Sequence, residues 1–275
     1  MSMIPLLASL AVALAATMAT AWLVALRSGN HGWIDVIWSF AVGAGGVAAA
    51  LVPAGPATWM PRQLFVAALA AAWSLRLGGH ILRRTLGGGD DPRYAQLRRD
   101  WGERAPARLF WFLQIQAAAA ILLVLAIAAA ARNPLPAIRA GDLVGAAILA
   151  AAVAGEAVAD RQLARFRADP ANRGRVCDSG LWGVSRHPNY VFEWLAWVAY
   201  PVIAIESAGG GYPFGFLALL GPLLMYGLLA HASGIPPTEA HMLRSRGDAY
   251  RAYQRRVNAF WPGPPRRPAN GAGDP

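Results

Sequence analysis

The chain has 275 residues, 56% of them hydrophobic, with 11 Trp; that is too apolar for a soluble domain and points to a polytopic membrane protein. All 25 basic residues are arginine, which excludes lysine chemistry such as a Schiff base or a P-loop lysine. The net charge of +10 lies between apolar segments rather than in one soluble module, which argues against nucleic acid and for anionic lipid headgroups or a phosphorylated cofactor. Seven apolar stretches follow in chain order, at 4–26, 33–52, 64–84, 109–131, 142–160, 189–206 and 213–232. Each is near the roughly 20 residues a helix needs to cross the hydrocarbon. The first has an Ala-rich middle like a signal peptide, but no basic residue precedes it and its apolar run is long, so it reads as an uncleaved span.

Arginine placement sets the orientation. The segment between the third and fourth stretches holds Arg83, Arg84, Arg93, Arg98, Arg99, Arg104 and Arg108. The one between the fifth and sixth holds Arg161, Arg165, Arg167, Arg173, Arg175 and Arg186, and the tail carries seven more. The opposite side receives only Arg62, Arg132 and Arg139. Under the positive-inside rule this predicts an all-α integral membrane bundle of seven transmembrane helices, N-terminus outside and C-terminus cytoplasmic. A single membrane domain over 1–262 and a Pro- and Gly-rich disordered tail over 263–275 follow.

The cytoplasmic segments carry special residues. Gly87 to Tyr94 is a turn cluster whose glycines could either wrap phosphates or serve as a flexible linker. Residues 237–257 predict a helix capped by Thr238, with Met242, Ala249, Tyr253 and Val257 on one face. Such a helix could also simply lie on lipid. Between these lies 179–197, a polar loop that becomes an apolar helix at Pro188, a residue suited to the first helical position. Arg186, His187 and Asn189 gather at the positive end of that helix, and Glu193 lies one turn above Asn189 on the same face. A carboxylate in an apolar helix is expensive and marks a candidate site; the alternative is a basic cap with Glu193 bonded to a neighbouring helix.

Other polar residues interrupt the apolar stretches: Asp35 between Trp33 and Trp38, then Trp73, Arg76 and His80 on one face, Gln114, Glu156, Asp160 and His231. Singly, such residues act as interhelical glue. Mostly placed in the cytoplasmic half, they suggest a polar cavity opening inward. An ion path should also place acids in the outer half, which offers only Glu206 and Asp142 at helix ends. The five histidines show no i, i+4 pairing, and Cys177 is the only cysteine, so neither a zinc site nor a disulfide is expected. No dinucleotide-binding glycine motif follows a strand.

The residues Ser179 to Tyr190, with Glu193 and Trp194, resemble the C-terminal half of the steroid 5-alpha-reductase family, and most closely a bacterial branch filed as a domain of unknown function. Three further stretches agree: Asp91 to Tyr94 with Leu97, Arg98, Trp101 and Gly102; Asp169 to Gly174; and Ser233 to Pro237 through Glu239, Tyr250, Tyr253, Arg256 and Pro262. The likeness covers about 30–265. It implies a seven-helix protein of the bacterial inner membrane that binds NADPH from the cytoplasm and reduces an activated C=C bond in a lipophilic, steroid- or isoprenoid-like enone. By position, Asn189 and Glu193 fall where that family contacts the nicotinamide. Asp160, Arg165 and Arg167 fall where it holds ribose and phosphates, and Tyr253 and Arg256 where the tail closes over the cofactor. Arg93, Arg186, His187 and Tyr190 complete the expected cofactor set.

The catalytic set implied is Asp35, Trp73 and Glu193, with departures. The steroid enzymes carry a Gln-Glu pair on helix two and a tyrosine on helix three, where Asp35 with Val36 and Trp73 with Ser74 stand nearest. Phe192 stands where a glycine usually precedes the glutamate. Membrane methyltransferases of the isoprenylcysteine type share the Arg-His-Pro-x-Tyr helix start and bind S-adenosylmethionine, which makes them the alternative. A non-catalytic lipid-binding protein is the third reading.

Overall fold

The computed structural model describes residues 3–53, 59–88, 90–205 and 211–266. Gly89, Glu206 and the tail from 267 lie outside the described residues. Among the described residues nine α-helices run in order: α1 (Met3–Ser28), α2 (Gly32–Leu51), α3 (Met60–Gly87), α4 (Pro92–Trp101), α5 (Ala105–Ala131), α6 (Ala140–Ala168), α7 (Pro188–Ile205), α8 (Leu220–Tyr226) and α9 (Ile235–Arg256). No strand occurs among the described residues. Six helical stretches there are long and apolar enough to cross a membrane. The expected span at 189–206 forms α7, 18 residues long, whose Asn189 and Glu193 lower its apolarity. The expected span at 213–232 breaks into a 3₁₀ stretch (Pro213–Leu219), the short α8 and a π-helical turn (Gly227–Ala232).

The chain forms two compact units, residues 1–149 with 197–224, and residues 150–196 with 225–275. In the first unit, α2 packs through glycine. A Cβ at Gly43 would stand 2.1 Å from the Ser74 hydroxyl of α3, and one at Gly46 2.5 Å from Ile127 of α5. Small residues let helices approach this closely where no hydrophobic effect drives them together. The hydroxyls of Thr17 and Thr20 donate to carbonyls one turn back on α1, which satisfies them inside an apolar helix. At one end of this unit Arg62, fully buried, grips Asp142 with two hydrogen bonds of 3.0 and 2.7 Å. Its other N–H groups donate to the carbonyls of Asn133, Leu135 and Ala137. Arg132, also buried, donates to the carbonyls of Ala49 and Val52.

In the second unit, the loop after α6 is shaped by Asp169, whose carboxylate caps a 3₁₀ turn (Pro170–Asn172), and by Gly174 and Gly180 at φ 83° and 60°. At Gly180 the positive φ is joined by the Gln162 amide, 2.8 Å from where a Cβ would sit. Phe192 finds its room on α6: a Cβ at Gly155 would meet its ring at 2.3 Å. The glycine expected before Glu193 on α7 is thus matched by one on the facing helix.

α9 begins at Ile235, with Pro236 and Pro237 in its first turn, rather than at a Thr238 cap. Gly247, at φ 51°, interrupts it and resets the helical phase. Tyr250 therefore joins Tyr253 and Val257 in the buried cluster beside Met242, and Ala249 is exposed. The chain after α9 is pinned as far as 266. Arg186 N donates to Asn258 O, Gly263 N to Val184 O and Arg266 N to Arg256 O. Of the tail expected to be disordered from 263, Gly263 and Arg266 make backbone hydrogen bonds, and the residues from 267 lie outside the described residues.

Candidate functional site

In the second unit two of the expected cofactor residues, Arg186 and His187, meet on one carboxylate that was not singled out. Glu239, on the first turns of α9, takes Arg186 Nε at 2.6 Å and His187 Nε2 at 3.2 Å on one oxygen, and Gln254 Nε2 at 2.7 Å on the other. Arg186 also donates to the carbonyls of Gln254 and Val257. His187 stacks on Tyr190 with ring centroids 5.3 Å apart, and the Tyr190 hydroxyl meets that of Thr238. Tyr253 donates to the carbonyl of Trp182, and Arg256 pairs with Asp178. Arg186, His187, Tyr190, Tyr253 and Arg256 therefore clamp the 179–190 loop to α9.

The charges of this hub follow from its contacts. Burial would raise the Glu239 carboxyl, but the His187, Arg186 and Gln254 hydrogen bonds and the Arg186 charge outweigh it and hold it at about 2. Burial pushes the His187 imidazole below its ordinary value, with Glu239 opposing. An ionised Glu239 and a neutral His187 result at neutral pH. The Tyr250 and Tyr253 phenols are raised by burial and stay protonated.

Two features of this unit are left open toward a ligand. A cavity of about 310 Å³ is lined by Arg167, Arg173, Arg175 and Arg246, with Asp169 as its one acid. Arg173, Arg175 and Arg246 pair with no carboxylate among the described residues; Arg175 bonds the Asn172 amide and Arg246 a backbone carbonyl. The second feature is Asn189, whose side-chain Oδ1 is buried with no hydrogen-bond partner among the described residues. Glu193, one turn on, is buried. Asp160 is half-buried on α6, and Arg165 is exposed and does not line the cavity.

The first unit holds the remaining expected residues. Asp35, in the first turn of α2, pairs with Arg93 and accepts the Tyr94 hydroxyl at 2.8 Å. Arg93 also binds Asp91, the N-cap of α4, whose carboxyl burial would raise but the Arg93 charge and hydrogen bonds lower. Asp35 thus stands as an ion-paired group tied to a phenol. Trp73 is buried edge-on against Trp197, centroids 4.9 Å apart.

With this geometry in hand, the sequence model of the family described as "Protein of unknown function (DUF1295)" matches residues 21–257. The chain belongs to this DUF1295 family. No curated protein and no solved structure matches it. The DUF1295 match runs from within α1 to the residue after α9, so it takes in the Glu239 hub, Asn189 and every arginine of the cavity. In this DUF1295 member Cys177 also lines the cavity, but burial raises its thiol, which suits packing better than nucleophilic attack. Three unneutralised guanidinium groups around one hollow can bind an anion with several phosphate oxygens, since each offers a planar fork of donors. Sequence reasoning missed Arg173 and Arg175, although the Asp169 to Gly174 turn was visible. Arg246 it could not place, because only the folded α9 brings it to that turn.

Proposed function

We propose that this chain is a membrane-embedded, NADPH-dependent reductase of an activated C=C bond in a lipophilic enone, with its C-terminus on the cytoplasmic side. The observation that carries the reading is the arginine-lined cavity beside the 169–175 turn. NADPH bears three phosphates, whereas S-adenosylmethionine bears none and adds a positive sulfonium. A hollow with four arginines and one acid favours the first. The resemblance of Ser179 to Glu193 to the steroid 5-alpha-reductase family supports the same choice.

The residues present fit such a cofactor. Arg167, Arg173, Arg175 and Arg246 would hold the phosphates. Asn189 Oδ1, a buried acceptor lacking a donor, would take an N–H of the nicotinamide carboxamide, with Glu193 on the same helix face. The Glu239 hub fixes α9, which carries Arg246, to the start of α7, which carries Asn189. When bound, NADPH supplies the hydride. Excess positive charge on the inner segments fits the proposed orientation.

Full-length protein in detergent should gain thermal stability with NADPH and none with S-adenosylmethionine, since a ligand at 100 times its Kd adds about 2.7 kcal/mol. Stabilisation by S-adenosylmethionine alone would assign the chain to the methyltransferases. Stabilisation by neither would favour a lipid-binding protein without catalysis.

A further inference from the structure

Two hydrogen bonds set α1 and α5 of the first unit side by side in opposite directions. Trp22 Nε1 donates to the Pro106 carbonyl at 2.8 Å, and Gln114 Nε2 to that of Ala15 at 3.4 Å. The last turns of α1 thus lie beside the first turns of α5. Three arginines stand at this end: Arg27 in the last turn of α1, Arg104 at the N-cap of α5 and Arg108 one turn on. All three are exposed, and none pairs with a carboxylate among the described residues. Glu103 is the one acid between 102 and 108, so the patch stays net positive. Exposure continues along α5 in register, through Arg104, Arg108, Trp111, Ile115 and Leu122. At about 100° per residue these five fall within a strip roughly 60° wide. Trp111 and Ile115 are 68% and 67% exposed. Phe110 stands edge-on to Trp111 at 5.4 Å and to Trp22 at 5.5 Å, which ties the strip to α1.

We propose that this strip is a binding site for one anionic phospholipid of the bilayer. Arg104 and Arg108 hold its phosphate, and Arg27 adds charge from the neighbouring helix. Trp111 lies level with the glycerol region, and an acyl chain runs along Ile115 and Leu122. The order charge, indole, aliphatic on α5 repeats the order phosphate, glycerol, acyl chain in the lipid. Lengths agree as well. Leu122 is fourteen residues beyond Arg108, about 21 Å at ~1.5 Å each. One leaflet with its headgroups is half of roughly 40–45 Å. Guanidinium forks suit phosphate oxygens, and an amphipathic indole settles at the headgroup level. A zwitterionic headgroup brings its own ammonium to the same arginines, so a net negative lipid is selected. Arginines placed by topology alone need share no face with the exposed apolar side chains, whereas both α5 arginines do. The site shares no residue with the arginine cavity of the second unit and stands apart from the reductase reading.

Native mass spectrometry of the full-length protein in detergent, given equimolar phosphatidylglycerol and phosphatidylcholine, tests this. The parent should retain one phosphatidylglycerol in preference to phosphatidylcholine by about tenfold. The exposed pair Arg104→Gln and Arg108→Gln should abolish the preference, and Arg104→Lys with Arg108→Lys should keep most of it, since the charge remains. Trp111→Ala should weaken retention severalfold with both arginines in place. Arg83→Gln with Arg255→Gln removes the same charge elsewhere and should retain lipid as the parent does. Equal retention of the two lipids by the parent would mean annular lipid only and overturns the proposal. Equal loss in the Arg83/Arg255 pair would mean net charge rather than a site, and overturns it too. So would displacement of phosphatidylglycerol by inorganic phosphate at fixed ionic strength, because a free anion does not use the apolar strip.

Discussion

Glu239→Gln tests whether one ionised carboxylate holds the 179–190 loop of the second unit to α9. The change keeps shape and removes the charge that Arg186 and His187 share. Burial alone would raise this carboxyl, yet its partners hold it near 2 against an ordinary 4.5, so folding lowers its proton affinity by roughly 2.5 pH units. At about 1.4 kcal/mol per unit this is worth roughly 3 kcal/mol, less some screening because the side chain is 14% exposed. The sign is that of a depressed carboxylate: the contribution is complete above pH 4.5 and is lost as pH falls toward 2. His187, also depressed, adds a loss that begins as pH falls below its ordinary 6.5. Thermal unfolding in detergent from pH 8 to pH 3 should show both losses in the parent. Glu239→Gln should start about 5–10 °C lower at pH 7 and show a smaller decline below 4.5 than the parent. A variant with the parent's pH profile would refute the account of Glu239 as an ionised hub.

Arg62→Met alone should cost about 3–5 kcal/mol by leaving Asp142 buried and unpaired, and Asp142→Leu added to it should recover most of that in thermal unfolding. Asn189→Ala should weaken NADPH by about 1–3 kcal/mol in equilibrium binding and leave unfolding without cofactor unchanged. The pair Arg173→Gln and Arg246→Gln should weaken NADPH more than tenfold at fixed salt; unchanged affinity would exclude the arginine cavity as the phosphate site. Gly155→Leu should destabilise by about 1–3 kcal/mol by striking the Phe192 ring, with Phe192→Ala restoring part of it.

The apolar stretches were legible because hydrophobic length is read one residue at a time. Their ends were less so. α6 continues past 160 to Ala168, since Arg161, Arg165 and Arg167 are good helix formers once the chain leaves the apolar region. The Thr238 cap lost to Pro236 and Pro237, which preset the backbone angle of a first turn. The buried face of α9 was misread at one position because the periodicity assumes an unbroken helix, and Gly247 breaks it. Of the site, Asn189 and Glu193 were legible from their cost in an apolar helix. The contacts of Glu239, the cavity's Arg246 and the pairing of Tyr94 with Asp35 join residues distant in sequence, and no local pattern encodes them.

Arginine, the only basic residue, does two different things in this chain, and the difference tells which arginines to consider for a ligand. Arg62 and Arg132, on the sparsely charged segments, are buried, and their N–H groups go to Asp142 and to backbone carbonyls. These are structural fastenings, and Arg62 has no donor to spare. Arg93 and Arg186 are likewise consumed by Asp35, Asp91 and Glu239, although both were expected to face the cofactor. Among the described arginines without a carboxylate partner, three, Arg173, Arg175 and Arg246, lie around a single hollow. Topology alone would scatter such charges over the arginine-rich segments. Their convergence on one cavity, in the same unit as a buried amide oxygen lacking a donor, is what a multiply phosphorylated ligand would require.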